Sequence, residues 1–160
     1  SMFLKPDYNL KSIYDINLDE LQKDGVKAVL LDLDSTIMAS KSACYSDETY
    51  SWLMNVQDKF FMAVVSNNHN QSYIEKVRAI SPFPMLFGAC KPKTGPVRQF
   101  LAEHNIEPKD CVLVGDRPLT DILCGKFLGC KTILVDSITA GTESKIVRFV
   151  RMLERMTIRH

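Results

Sequence analysis

The chain predicts an α/β fold, a five-stranded parallel sheet with helices on both faces, and three observations carry that expectation. Five short apolar runs rich in β-branched residues recur along its 160 residues. Segments of helical period separate them, the alternation expected of strands joined by crossover helices. Residues able to do chemistry, Asp32, Ser66, Lys91 and Asp116, stand at or just beyond the ends of the first four runs.

In chain order, Asn17-Leu18-Asp19-Glu20 has capping-box spacing and Gly25 stands as a helix stop, so a helix precedes the first strand. The five strands are expected at Ala28 to Asp32, Phe61 to Ser66, Met85 to Ala89, Cys111 to Gly115 and Thr132 to Asp136. Between the first two, Ser46 caps a helix with Asp47 and Glu48 in its first turn and Trp52, Leu53 and Val56 on its apolar face. Ile74 with Val77, then Val97 with Phe100 and Leu101, then Ile122 with Leu123 and Phe127 mark the faces of three more helices.

Length and composition fit one domain over residues 1–160, comprising an extension at 1–16, the sheet, and a C-terminal helix at 142–160; no repeat or linker divides it. At 46% hydrophobic content it can bury about 70% of its unfolded surface in one core. A net charge of +1 gives no general argument for nucleic-acid binding. The cysteines Cys44, Cys90, Cys111, Cys124 and Cys130 lack CxxC spacing and read as small hydrophobes in a reducing compartment. His69, His104 and His160 form no metal pair, and no apolar run nears the roughly 20 residues needed to span a bilayer. A cytoplasmic setting is expected, peripheral on the inner membrane face, or an organelle matrix if a targeting segment preceded Ser1.

Asp32-Leu33-Asp34-Ser35-Thr36 is the most telling stretch. It follows Val29-Leu30-Leu31, and strand alternation puts both carboxylates on one side at the carboxyl end, where open α/β sheets bind ligands. Such a pair can share a hard divalent cation, and one member can attack a phosphoryl group. Ser66-Asn67 ends the second strand with a hydroxyl and a following N–H suited to a phosphate oxygen. Lys91, before Pro92, is a cation placed to balance transferring charge, with Lys93 a competitor two residues on. Gly115-Asp116-Arg117-Pro118-Leu119-Thr120-Asp121 supplies a second acidic pair. Asp116 would complete a metal shell, and Asp121 would hold a metal-bound water, orient Lys91, or simply be an acid in a helix's first turn.

These four segments, in this order, resemble the motifs of the haloacid-dehalogenase (HAD) superfamily. The resemblance implies a HAD-like Rossmannoid three-layer sandwich, Asp32 as the nucleophile that becomes phosphorylated, and Asp34 as the acid that protonates the leaving alcohol and then activates water. Thr36 would support the loop, and Mg²⁺ would be held by Asp32, the Asp34 backbone carbonyl and Asp116. Members often insert a cap, but the stretches from Thr36 to Ser66 and from Ser66 to Lys91 are too short to hold one. An open site suits a bulky phosphomonoester.

Leu4-Lys5-Pro6-Asp7, Lys11 to Ile16, Thr120-Asp121-Ile122, Gly125, Gly129 and Thr132 to Val135 are similar to the YqeG branch of HAD subclass IIIA, which resembles fungal mitochondrial phosphatidylglycerophosphatases. The implied reaction is dephosphorylation of phosphatidylglycerophosphate to phosphatidylglycerol. Ser35 stands where that branch often has Asn, and alternation would turn it away from Asp32 and Asp34. The residues Arg117, Asn68 and His69 neighbour the motifs with no assigned role.

After Thr142, Arg148, Arg151, Arg155 and Arg159 recur at three- and four-residue steps, with Val150, Leu153 and Met156 or Ile146, Phe149 and Met152 as apolar surface. Such a basic amphipathic helix either lies on an anionic membrane or packs its apolar face on the sheet. The alternatives are a capless phosphatase acting on a phosphoprotein, a nucleic-acid end or a soluble ester, and a non-catalytic membrane-binding module. A long basic stripe lined with aromatics is absent, which disfavours nucleic acid.

Overall fold

The computed structural model describes residues 4–138 and 152–156. Its strands are β1 (Tyr8–Leu10), β2 (Ala28–Leu31), β3 (Phe61–Val65), β4 (Met85–Leu86), β5 (Cys111–Gly115) and β6 (Lys131–Val135), and its helices α1 (Leu18–Lys23), α2 (Asp47–Lys59), α3 (Gln71–Ala79), α4 (Gly95–Glu103) and α5 (Leu123–Leu128). The six strands form one sheet in the order β1-β6-β5-β2-β3-β4, parallel at every pairing.

Sheet alternation builds the two outer layers. Val29 and Leu31 of β2, Met62 and Val64 of β3, and Val112 and Val114 of β5 face one side, where they pack with Leu21 of α1, Leu53 and Val56 of α2 and Val77 of α3. Ala28, Leu30, Ala63, Val65 and Leu113 face the other, against Val97, Phe100 and Leu101 of α4 and Cys124 and Leu128 of α5. Because both faces are covered, the central strands are buried along nearly their whole length, as continuous apolar runs in parallel sheets require.

The sheet has six strands where five were expected. The additional strand, β1, is only three residues long at the edge beside β6, and its half-exposed pattern has no apolar run to announce it. Asp7 pins it: the Asp7 N–H donates to the Thr132 carbonyl at 3.0 Å, and the Asp7 carboxylate accepts from the Thr132 N–H at 2.8 Å. The strand expected over Met85 to Ala89 closes at Leu86, before Gly88 and Cys90 take left-handed backbone angles.

Helix signals held where capping chemistry wrote them. Ser46 Oγ accepts from the Thr49 N–H at the start of α2, and Asn17 Oδ1 accepts from the Glu20 N–H at the start of α1. The last helix face differs from its expected one: Phe127 is 51% exposed, while Cys124 and Leu128 are buried. A π-helical turn over Pro118–Ile122 precedes α5, and its extra residue rotates the following face away from the spacing of Ile122, Leu123 and Phe127.

No folded unit interrupts the described core. Residues between Thr36 and Ser66 form a loop, α2 and β3, and those between Ser66 and Lys91 form α3 and β4. Among the described residues, no helix is long and apolar enough to cross a membrane. The expected C-terminal helix falls largely outside the described residues, including Thr142, Arg148, Arg151 and Arg159. Its portion at 152–156 is helical.

Candidate active site

The chain runs outward from β2 in both directions, through β3 and β4 on one side and β5 and β6 on the other, so the sheet's switch point lies between β2 and β5. A crevice opens there at the strands' carboxyl ends. Asp32 follows β2, with its N–H donating to the Val114 carbonyl of β5 at 2.9 Å. Fully buried Leu33 and Ile37 anchor the loop that follows, a hydrophobic footing that fixes the polar residues between them.

Asp32, Asp116 and Asp121 bring carboxylate oxygens within 4.8 Å of one another. Thr36 Oγ1 bridges two of them, 3.1 Å from Asp116 Oδ1 and 3.3 Å from Asp32 Oδ2. Lys91, whose side chain is 1% exposed, donates from Nζ to Asp32 Oδ1 at 2.8 Å, Asp121 Oδ1 at 2.8 Å and the Val65 carbonyl at 2.7 Å. That satisfies all three ammonium donors. Lys93 is exposed, and Lys91 is the lysine that the fold brings to the acidic cluster.

Burial works against the Lys91 charge, but Asp121 and Asp32 outweigh it and hold the amine above its ordinary range. Asp121 is pushed up to about 6 by burial and then by the negative charge of Asp32, with Lys91 pulling the other way. Both shifts express one imbalance, since two carboxylates share a single ammonium and Asp116 lies beside them. Three carboxylates with one ammonium, bonded to two of them, fit a divalent cation, which would draw on Asp32, Asp116 and Asp121.

Gly115 allows this packing. A Cβ built there would overlap the Asp121 carboxylate, so the strand end and the acid can approach closely only with glycine. Asp121 Oδ2 also accepts from the Arg117 N–H at 3.2 Å, across the start of the π-helical turn.

The Asp34 carboxylate stands apart from the acidic cluster. Its Oδ1 accepts from the Tyr73 hydroxyl at 2.6 Å and the Lys41 N–H at 2.8 Å. Asp32 and Asp34 nonetheless line one cavity of about 260 Å³ with Ser66, Asn67, Lys91 and Arg117. Ser35 is also among the residues that line it. The strand has already ended at Leu31, and Ser35 sits at φ 68°, outside the extended conformation on which alternation depends.

Ser66 is buried at the end of β3, where its Oγ accepts from the Asn68 N–H at 3.0 Å. The Asn67 side chain does something the sequence did not suggest: Oδ1 accepts from the Lys91 N–H at 2.7 Å and Nδ2 donates to the Lys91 carbonyl at 2.9 Å. This two-point clamp sets the backbone from which Lys91 reaches inward. The Lys91–Pro92 peptide bond is cis.

Sequence reasoning also missed Tyr73, Lys41 and Glu154. Tyr73 reads as an ordinary helix residue three positions after the Asn70 cap, and only the tertiary fold aims it at Asp34. Glu154 is 4% exposed and accepts from Arg117 Nη2 at 3.0 Å, tying the 152–156 segment to the acidic loop. Arg155 donates to the Val135 carbonyl. Met152, Leu153 and Met156 are 50%, 45% and 53% exposed, so this segment docks through its charged residues and turns apolar ones outward.

The HAD-hydrolase-like family model matches residues 88–145, which carry the Lys91 and Asp116 segments. Over that stretch the chain is similar to the HAD-like hydrolases. It is 28% identical over 153 residues to "Probable phosphatase YqeG" of Bacillus subtilis, covering 96% of this chain and 88% of that protein. It is 27% identical over 161 residues to "Phosphatidylglycerophosphate phosphatase 1, chloroplastic/mitochondrial" of Arabidopsis thaliana, covering 95% of this chain but 46% of that longer protein. Solved structures show the same fold. An uncharacterized protein from Listeria monocytogenes superposes with TM-score 0.59 at 17% identity, covering 68% of this chain and 78% of that one. A HAD family enzyme from Bacteroides thetaiotaomicron, a magnesium complex, gives 0.55 at 13%, covering 78% and 98%. The chain is thus similar, over nearly its whole length, to proteins named as phosphatases.

Proposed function

We propose that this phosphatase hydrolyses the terminal phosphomonoester of phosphatidylglycerophosphate, giving phosphatidylglycerol, with Asp32 as nucleophile and Mg²⁺ as cofactor. Unequal exposure within the acidic cluster carries the assignment: the Asp32 side chain is 15% exposed and opens into the cavity, whereas Asp116 and Asp121 are buried at 0% and 1%. Only Asp32 can both touch the cluster and meet a ligand.

An Asp32 carboxylate oxygen attacks phosphorus and the ester P–O bond breaks. Asp34 gives its proton to the departing alkoxide, yielding the lipid alcohol and an aspartyl phosphate. Asp34 then takes a proton from water, whose oxygen attacks phosphorus; inorganic phosphate leaves and the Asp32 carboxylate is restored. The Tyr73 hydroxyl and the Lys41 N–H hold Asp34 in place for both transfers. Lys91 keeps Asp32 oriented and offsets charge at the phosphoryl group, and Ser66 with the Asn67 backbone receives a phosphate oxygen. Asp32, Asp116 and the Asp34 carbonyl, with Asp121 behind them, would hold Mg²⁺, which would supply Lewis-acid neutralisation of phosphoryl charge.

The lipid assignment draws on the Arabidopsis relative's name and on the rim of the cavity. Arg117 and Thr120 line the cavity, Leu119 between them is 45% exposed, and Met152, Leu153 and Met156 turn outward from the segment that Arg117 grips. Apolar side chains beside an uncapped site suit peripheral contact with a membrane, from the cytoplasmic or matrix side. The described residues then act as one domain without a cap.

The test is Mg²⁺-dependent phosphate release from phosphatidylglycerophosphate in mixed micelles, beside a soluble phosphomonoester and a phosphopeptide, with Asp32→Asn as the blank. Preferential lipid turnover abolished by Asp32→Asn is expected. Activity on the soluble ester or peptide alone rejects the lipid substrate, and turnover surviving Asp32→Asn rejects the nucleophile.

A further inference from the structure

Beside the cavity that holds Asp32 and Asp34 lies a second, open one of about 440 Å³. The two share Lys41, Asn67 and Asn68 in their walls, so they adjoin. Their chemistry differs. The first is lined by two carboxylates; the second has none, and its wall carries Lys41, Lys76 and His69 among asparagine, serine and tyrosine side chains.

We infer that this second cavity is an anion subsite for substrates bearing a second phosphate at a fixed distance from the one removed. The inference rests on the proposed substrate, in which a three-carbon glycerol joins a terminal phosphomonoester to a phosphodiester. With the monoester against Asp32, the diester reaches the neighbouring cavity, where Lys41 and Lys76 supply charge and His69 a further ring N–H.

The surrounding hydrogen bonds give the asparagines a matching polarity. Asn68 Oδ1 accepts from the Asn70 N–H at 2.9 Å, and Asn70 Oδ1 accepts from the Tyr73 N–H at 2.9 Å. Each carboxamide oxygen is thus taken by the backbone, which leaves its NH₂, a donor, to offer a ligand. Lys41 is held in a left-handed backbone conformation, φ 58°, while its N–H bonds Asp34. Retaining a lysine at that angle is costly unless the surroundings over-determine it, and strain of this kind concentrates at functional positions. The Tyr73 hydroxyl, from the same wall, bonds Asp34 as well. The subsite is therefore built on the two groups that hold the proposed proton donor, and it orients the leaving group toward it.

The experiment compares two soluble esters, glycerol 3-phosphate and the deacylated head group in which glycerol is joined by a phosphodiester to glycerol phosphate. The ratio of their kcat/KM values is read for the wild type, Lys76→Gln, Lys76→Arg and the double variant His69→Gln/Lys76→Gln. The wild type prefers the two-phosphate ester by about tenfold or more, the scale of one charge-assisted hydrogen bond. Lys76→Gln and the double variant lose most of that preference, and Lys76→Arg keeps it. Dissociation constants measured by calorimetry on Asp32→Asn give the same ratio independently of turnover. Equal handling of the two esters by the wild type, or a preference that survives removal of both side chains, overturns the subsite. Neither ester has acyl chains, so a retained ratio with no turnover of the micellar lipid rejects the lipid reading alone. Lipid turnover without any difference between the esters rejects the subsite alone.

Discussion

Replacing Lys91 by methionine keeps most of the stem and removes the charge that three acceptors surround. The two carboxylates at 2.8 Å, Asp32 and Asp121, would then face each other with Asp116 nearby and without their shared ammonium. Breaking a buried pair by removing one partner costs about 3–5 kcal/mol, because the remaining charge stays desolvated. For a chain of this size that corresponds to a fall in Tm of roughly 6–20 °C. The loss should depend on pH. Asp121 sits above its unfolded value of 3.8 in the fold, at about 6, so the folded chain keeps a proton that the unfolded chain has released. Its contribution to stability therefore falls as pH rises across that window. Lys91→Met deletes the charge that lowers the Asp121 value, which extends the window upward and makes the variant's deficit larger at pH 8 than at pH 5. Thermal and urea unfolding in chelator, wild type beside variant at the two pH values, reads this directly. A deficit below about 1 kcal/mol, or one that is equal at both pH values, would refute the argument that Lys91 neutralises buried acids.

Other residues give sharper local tests. Gly115→Ala forces a methyl group onto the Asp121 carboxylate, so phosphate release should fall by about a hundredfold while overpacking costs about 1–3 kcal/mol; activity assays beside denaturant melts separate the two. Tyr73→Phe removes the 2.6 Å bond to Asp34, and kcat should drop about tenfold with helix content unchanged by circular dichroism. Cys124 is pushed up to about 11 by burial, and Cys111 and Cys130 are buried too, whereas Cys44 and Cys90 are exposed. Iodoacetamide at pH 8 should therefore label only Cys44 and Cys90 in the native chain and all five cysteines after unfolding, as read by intact mass.

The parts legible in sequence are those written by short-range chemistry. Val29-Leu30-Leu31 and Cys111 to Gly115 announce central strands because burial on both faces leaves no polar position, and the motif residues sit at their ends because the switch point is there. Position after a strand also placed Lys91 beside the Asp32 segment, and its side chain is buried there at 1% exposure. What escaped depends on tertiary partners. Tyr8–Leu10 is a strand only because β6 offers it an edge, with Asp7 fastening the junction. Phe127 was misplaced because the π-helical turn shifts phase invisibly, and the alternation argument for Ser35 reached past the strand's end to a residue at φ 68°. Tyr73 and Glu154 reach the site from 39 and 37 residues away from their partners, a distance across which no spacing rule speaks.

The central claim is that Asp32 takes the phosphoryl group covalently. Wild-type enzyme turning over phosphatidylglycerophosphate labelled with radioactive phosphorus in its terminal phosphate, quenched in acid and digested, should carry label on the peptide containing Asp32, and hydroxylamine should remove it as it does from an acyl phosphate. Label on any other peptide, or steady phosphate release with no labelled protein at any quench time, would contradict it.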